Sequence, residues 1–116
     1  MVKLLTILIA NILLSSLHAQ KPEQTDFIHI SVNEGLSQNT IFDIAQDQQG
    51  HMWFATDDGL NKYDGYDFTI YRHDEQNPHS ISNDIIKACI VDTEGRIWAG
   101  TEKGVSLLSL IHISEP

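Results

Sequence analysis

The sequence predicts an all-β fold: about two four-stranded blades of an incomplete β-propeller, after an N-terminal signal peptide. Three observations predict it. The chain repeats itself at a spacing of 45 residues, each repeat breaks into short strand-like segments, and glycine-bearing turns separate those segments. A helical solenoid of similar period is disfavoured, because each segment is too short and too often interrupted by Gly.

Residues 1–19 differ in character from the rest of the chain. Lys3 supplies one positive charge, and Leu4 to Leu14 is apolar except for Thr6 and Asn11. Small Ala19 then stands where a signal peptidase would cut, giving the three-part pattern of a secretory signal peptide. The apolar run is short of the roughly 20 residues a spanning helix needs. An uncleaved anchor is the competing reading. Residues 20–35 form a leader in which Phe27–Val32 is expected to be a strand. Its expected role is to close a propeller ring by completing a last blade, hiding an edge that would otherwise aggregate.

Blade 1 is assigned to residues 36–80. Thr40–Asp47 is the first strand, and Asp47-Gln-Gln-Gly50 is a turn in which Gly50 offers positive φ and Asp47 can bond nearby amides. His51–Thr56 is a second strand rich in bulky residues, and Asp57-Asp58-Gly59 a second turn. Leu60–Tyr63 is a short third strand, and Asp64-Gly65 a tight turn. Tyr66–Arg72 is a fourth strand whose Tyr66, Phe68 and Ile70 alternate onto one buried face. Polar His73–Ser80, with Pro78, links to the next blade.

Blade 2, residues 81–108, is partial, with strands at Asn83–Val91, Arg96–Thr101 and Val105–Leu108. Residues 109–116 continue no repeat; they are expected to be a sequence artefact, with a divergent fourth strand as the other reading.

The two copies coincide without a gap at Asp47 and Asp92, Gly50 and Gly95, Trp53 and Trp98, Thr56 and Thr101, and Gly59 and Gly104. These ten residues are the repeat signature. Trp53 and Trp98 could stack on a sugar, but a shared register in both repeats assigns them to the structural core. Ligand contacts come more often from loops that differ between repeats, here His73–His79 and Asn61–Tyr66.

Composition narrows the function. The net charge of −9 makes nucleic acid an improbable partner. The single Cys89 lies in the apolar run Ile85–Val91 and reads as a small buried hydrophobe. The six histidines show no metal-ligand spacing, and Asp57, Asp58, Asn61, Asp64 and Asp67 fit turn chemistry better than a calcium loop. No catalytic, cofactor-binding or metal residues are assigned, and no cofactor is expected. Two repeats are fewer than the three or so that usually suffice. Residues 20–116 alone are therefore expected to be unfolded or aggregated.

Gly35-Leu-Ser-Gln-Asn-Thr-Ile41, Gln46–Thr56 and Asp58–Gly65, with Arg96–Thr101 repeating the pattern, resemble the two-component regulator propeller repeat. That repeat occurs in periplasmic parts of hybrid two-component sensor histidine kinases. The resemblance, over residues 27–108, implies a fragment of a periplasmic ligand-sensing propeller, not itself an enzyme, responding to glycan-derived ligands. It implies as partners the remaining blades of the parent and an oligosaccharide. The parent is expected to be an inner-membrane protein and a histidine kinase, with dimerisation open. The alternatives are part of a secreted propeller enzyme of streptogramin-lyase type and a structural interaction scaffold.

Overall fold

A computed structural model describes residues 2–15 and 21–108. The expected cut after Ala19 and the tail 109–116 lie outside the described residues. Helix α1 spans Val2–Ser15, and no described helix is long and apolar enough to cross a membrane. Seven strands come after it: β1 Ile41–Gln46, β2 Met52–Thr56, β3 Gly59–Tyr63, β4 Phe68–Tyr71, β5 Ile86–Val91, β6 Ile97–Thr101 and β7 Gly104–Leu108. They build two antiparallel sheets in sequence order, β1-β2-β3-β4 and β5-β6-β7.

Strands β1, β2, β4, β5 and β6 start or stop inside the expected limits because the flanking residues are used by turns, whereas β3 and β7 begin earlier than expected, at Gly59 and Gly104. Asp47 and His51 close the first turn through a backbone bond, and Gly50 N–H donates back to the Asp47 carbonyl. Tyr66 departs from the expectation: it is 91% exposed and precedes β4, since Asp64 Oδ1 draws the N–H groups of Tyr66 and Asp67 into a turn. Phe27–Ile30 has no regular structure and Phe27 is 95% exposed, while Val32–Glu34 forms a 3-10 turn. Ser31 and Glu34 cap that turn reciprocally, so Val32 leaves the expected strand.

Cross-strand partners share a sheet face. One face of sheet 1 carries Trp53 with Lys62, and Ala55 with Leu60 and Tyr71. This face packs against Ile86, Cys89, Ile97 and Ala99 of sheet 2, and those residues are the buried core. The core thus lies between the blades, as in stacked sheets. Both inner strands carry an irregularity at the same repeat position, Ile41/Asp43 and Ile86/Ala88. β5 is an edge strand, and its Cys89 amide donates to Asp43 Oδ2 of blade 1 at 3.0 Å. Gly59 N–H likewise donates to the Asp84 carbonyl, binding the blades backbone to backbone.

Gly59 has a positive φ of 96°, and a β-carbon there would stand 2.6 Å from the Tyr71 carbonyl oxygen. Its repeat partner Gly104 has φ 111° with nothing within 4 Å. Gly59→Ala is therefore expected to cost about 1–3 kcal/mol and more than Gly104→Ala, which pays only for backbone strain. Urea unfolding of both variants within the longer polypeptide, beside the unsubstituted protein, checks the order.

Candidate functional site

The chemistry-bearing residues gather into two clusters, and each cluster appears once per blade. In blade 1 the Asp47 carboxylate accepts three hydrogen bonds: Oδ1 from the amides of Gln49 and His51, and Oδ2 from the Trp53 indole Nε1–H, all at 2.9 Å. In blade 2 Asp92 does the same with Glu94, Arg96 and Trp98, again at 2.9 Å. Asp92 adds a bond from Arg96 Nε at 2.7 Å, where blade 1 has His51 Nδ1 at 3.5 Å from Asp47. Gly50 and Gly95 complete the turns at φ 87° and 81°.

These bonds set the acidity of the carboxyls. Burial of Asp47 works to raise its pKa, but the Trp53 indole, the two turn amides and the His51 charge outweigh it and lower it. The Trp98 bond is the largest influence on Asp92, reinforced by Arg96 and the Glu94 amide, and holds it far below the usual carboxylate range.

The second cluster sits at the other end of β2. Thr56 Oγ1 donates to the Gly59 carbonyl at 2.8 Å, accepts from Asp58 N–H at 3.0 Å, and lies 3.3 Å from Ser37 Oγ. Thr101 repeats this with Gly104, Lys103 and Ser82 at 2.9, 3.0 and 2.9 Å. The serine amide of each blade is bonded too, Ser37 N–H to Asn61 Oδ1 and Ser82 N–H to Ser106 Oγ. Sequence reasoning missed Ser37, Asn61 and their counterparts as members of this cluster. The signal was available: Ser37 and Ser82 coincide in the repeat, as do Asn61 and Ser106.

Trp53 is fully buried, stacked on Tyr71 at 5.7 Å and capped by Lys62 Nζ at 5.8 Å. Trp98 is half-buried. The two expected loop surfaces are exposed apart from Asn61, Lys62 and Tyr63, and their polar groups largely serve their own turns: Asp74 Oδ1 caps Gln76, and Asn77 Oδ1 caps His79. A cavity of about 410 Å³ lies beside the linker, between Tyr71 of blade 1 and Ala99 and Leu108 of blade 2. Among the described residues no group of three or more potential metal ligands comes together. His18 and His112 are outside the described residues. Burial, with the Asp43 charge, pushes the Cys89 thiol up to about 11, so little thiolate exists at neutral pH.

Residues 35–58 match the two component regulator propeller family. The chain is 44% identical over 64 residues to Histidine kinase P4 of Formosa agariphila, a match covering 53% of this chain and 5% of that protein. Among solved structures it is similar to extracellular domains of two hybrid two component systems from B. thetaiotaomicron. One superposes with TM-score 0.56 at 37% identity, covering 60% of this chain and 10% of the other. The second has TM-score 0.61 at 29% identity, covering 75% and 14%. The chain therefore spans a small part of each relative's length.

Asp47→Ala strands a buried indole N–H and two turn amides and is expected to cost about 1–3 kcal/mol, read from the urea midpoint of the longer polypeptide. Because Asp47 and Asp92 are more acidic folded than unfolded, their contribution is complete above the ordinary Asp value near ~3.9 and is lost as pH falls through the lower folded values. Asp92→Asn should make the acid-side fall in stability shallower. Cys89 should resist maleimide in the native chain and react once urea unfolds it.

Proposed function

From the premise that this chain carries the two component regulator propeller repeat, we propose that it forms part of the ligand-sensing propeller of a two-component signal-transduction protein. Residues 1–19 act as its signal peptide, which places the propeller in the periplasm. The chain contributes blades and performs no catalysis; the kinase activity belongs to the longer protein. Further repeats of that polypeptide are the blades that complete the ring, with the leader 20–35 supplying the strand that closes it.

The observation that carries this reading is the duplicated clamp. One Asp–Gly–Trp–Thr–Gly constellation builds two blades that stack through a shared core, and residues 35–58 match the regulator propeller family. The likeness to extracellular domains of hybrid two component systems supports the sensing role and the location outside the cytoplasm. The ligand class we propose is an oligosaccharide released by glycan breakdown. The segment we assign to meet it is the exposed linker 73–80, which differs in sequence from the leader before blade 1.

The test is genetic. The organism encoding the chain is grown on a panel of polysaccharides with codons 36–80 intact or deleted in frame. One polysaccharide should lose its transcriptional response in the deletion strain while growth on glucose is unchanged. Unaltered responses to every polysaccharide would sink the glycan reading.

A further inference from the structure

The first strand of each blade carries one residue that the sheet does not pair. In β1, Ile41 pairs with Thr56 and Asp43 with Ala55, so Phe42 is an extra residue with no partner on β2. In β5, Ile86 pairs with Thr101 and Ala88 with Gly100, so Lys87 is the same extra residue one repeat later. A bulge of this kind re-aims its side chain out of the regular pleat. The flanking positions are identical in the two blades, Ile41 with Ile86 and Thr56 with Thr101, whereas the bulge holds an aromatic ring in one and an ammonium in the other. The scaffold is constant, and the residue it projects changes.

These two side chains meet. Lys87 Nζ stands 3.8 Å from the centroid of the Phe42 ring and 4.0 Å from Asp57 Oδ1. The second distance is too long for a hydrogen bond, so the ammonium stands beside the ring without spending its donors on that carboxylate. Phe42 is 41% exposed, and the side chains of Lys87 and Asp57 are nearly half exposed.

Their place in a ring differs from that of the sheet faces. β5 packs against β1 and β2, while a cavity lies between Ile70 and Tyr71 of blade 1 and Leu107 and Leu108 of blade 2. The sheets therefore converge at β1 and β5 and part towards β4. The narrow side of that wedge faces the ring axis, where propeller blades leave a central channel. Further blades cover sheet faces, but at the axis they only add their own bulge residues around the same channel. The bulges also share an end of the blades with the β2–β3 turn and the base of the linker, where Arg72 bonds Asp58 and His73 N–H bonds Asp84.

We propose that the bulge position reads the ligand of the propeller, and that Phe42 and Lys87 bind an acidic saccharide. Lys87 takes the carboxylate of the sugar through charge-assisted hydrogen bonds, and the exposed side of Phe42 meets the apolar C–H face of the ring that carries it. In a chain of net charge −9 an anion has to be held by local cations, and this one is displayed beside an apolar wall. The binding site rests on the sensing role proposed above and narrows the saccharide to an acidic one.

Isothermal titration of the purified longer polypeptide with three sets of oligosaccharides tests it. Oligogalacturonides and alginate fragments are the carboxylated probes, carrageenan fragments the sulfated ones and laminarin fragments the neutral ones. A carboxylated probe should bind, with an affinity that falls as salt rises. Lys87→Gln should weaken that binding roughly tenfold to a hundredfold and flatten its salt dependence, while Lys87→Arg stays near the unsubstituted protein. Phe42→Ala should weaken it roughly tenfold and leave the salt dependence as it was. Lys103→Gln, in an exposed turn of blade 2, should change nothing. Carboxylate binding that survives Lys87→Gln overturns the bulge site and leaves the sensing role standing, as does preference for a sulfated or neutral probe. A polypeptide that binds none of the three sets overturns the bulge site and the oligosaccharide reading together.

Discussion

The structure depends on one carboxylate per blade. Asp47 and Asp92 each hold the two amides that shape a turn and the indole N–H of a tryptophan six residues on. A turn and a large ring are thereby fixed by the same side chain. The indole has a single donor, and burying it unpaired would be costly, so its partner decides where the ring lies. With the N–H tied back to the turn, the Trp53 ring lies over its own strand beside Tyr71 and forms part of the surface that blade 2 covers. Charge assists the arrangement, since a carboxylate accepts more strongly than a neutral group.

The threonine cluster fixes the opposite end of β2, so each blade is held at both ends by bonds that require no other blade. Cohesion between blades comes from different sources. An apolar core joins them, and hydrogen bonds run between them from Cys89 N–H to the Asp43 carboxylate, from Gly59 N–H to the Asp84 carbonyl and from Gln48 Nε2 to the Thr93 carbonyl. Local clamps can therefore shape a blade, but burial of its two faces waits on its neighbours. Arg72 holds Asp58 through two bonds of 3.0 Å at the linker and keeps that carboxyl acidic, yet both side chains are exposed, so this pair adds little to the cohesion.

Much of this was legible because periodicity carries it. The gapless register between Leu36 and Tyr63 and their counterparts locates the first three strands of each blade, and Asp47 could be read as a turn former from residue type alone. The bond from Asp47 to Trp53 could not be read, since it depends on the twist that brings a strand side chain over the preceding turn. Alternation misled at Tyr66: it continues the pattern of Phe68 and Ile70, but the Asp64 turn claims its amide first. Tyr71 went unnoticed for the converse reason. It lies on the opposite face from Phe68 and Ile70, where it opposes Leu60 and stacks on Trp53. At Phe27–Val32 the strand-like composition has no sheet partner among the described residues, and local capping at Ser31 and Glu34 decides the backbone beyond Ser31.

The tryptophans show how a repeat separates structure from recognition. A sugar-stacking indole needs one open face, and its N–H is commonly left for the ligand. Trp53 has neither: Tyr71 and Lys62 lie against its ring, and Asp47 takes its N–H. Trp98 keeps an open side, but its N–H is equally committed, to Asp92, and Ile90 and Leu107 beside it are exposed apolar groups that need covering. Both rings are therefore positioned for contact between blades. In the sensing role proposed above, recognition falls to segments in which the repeats differ, because a residue that holds every blade cannot also be varied to distinguish one ligand from another. The polar stretch 73–80 is such a segment, tied to blade 2 at its base by His73 N–H bonding the Asp84 carboxylate.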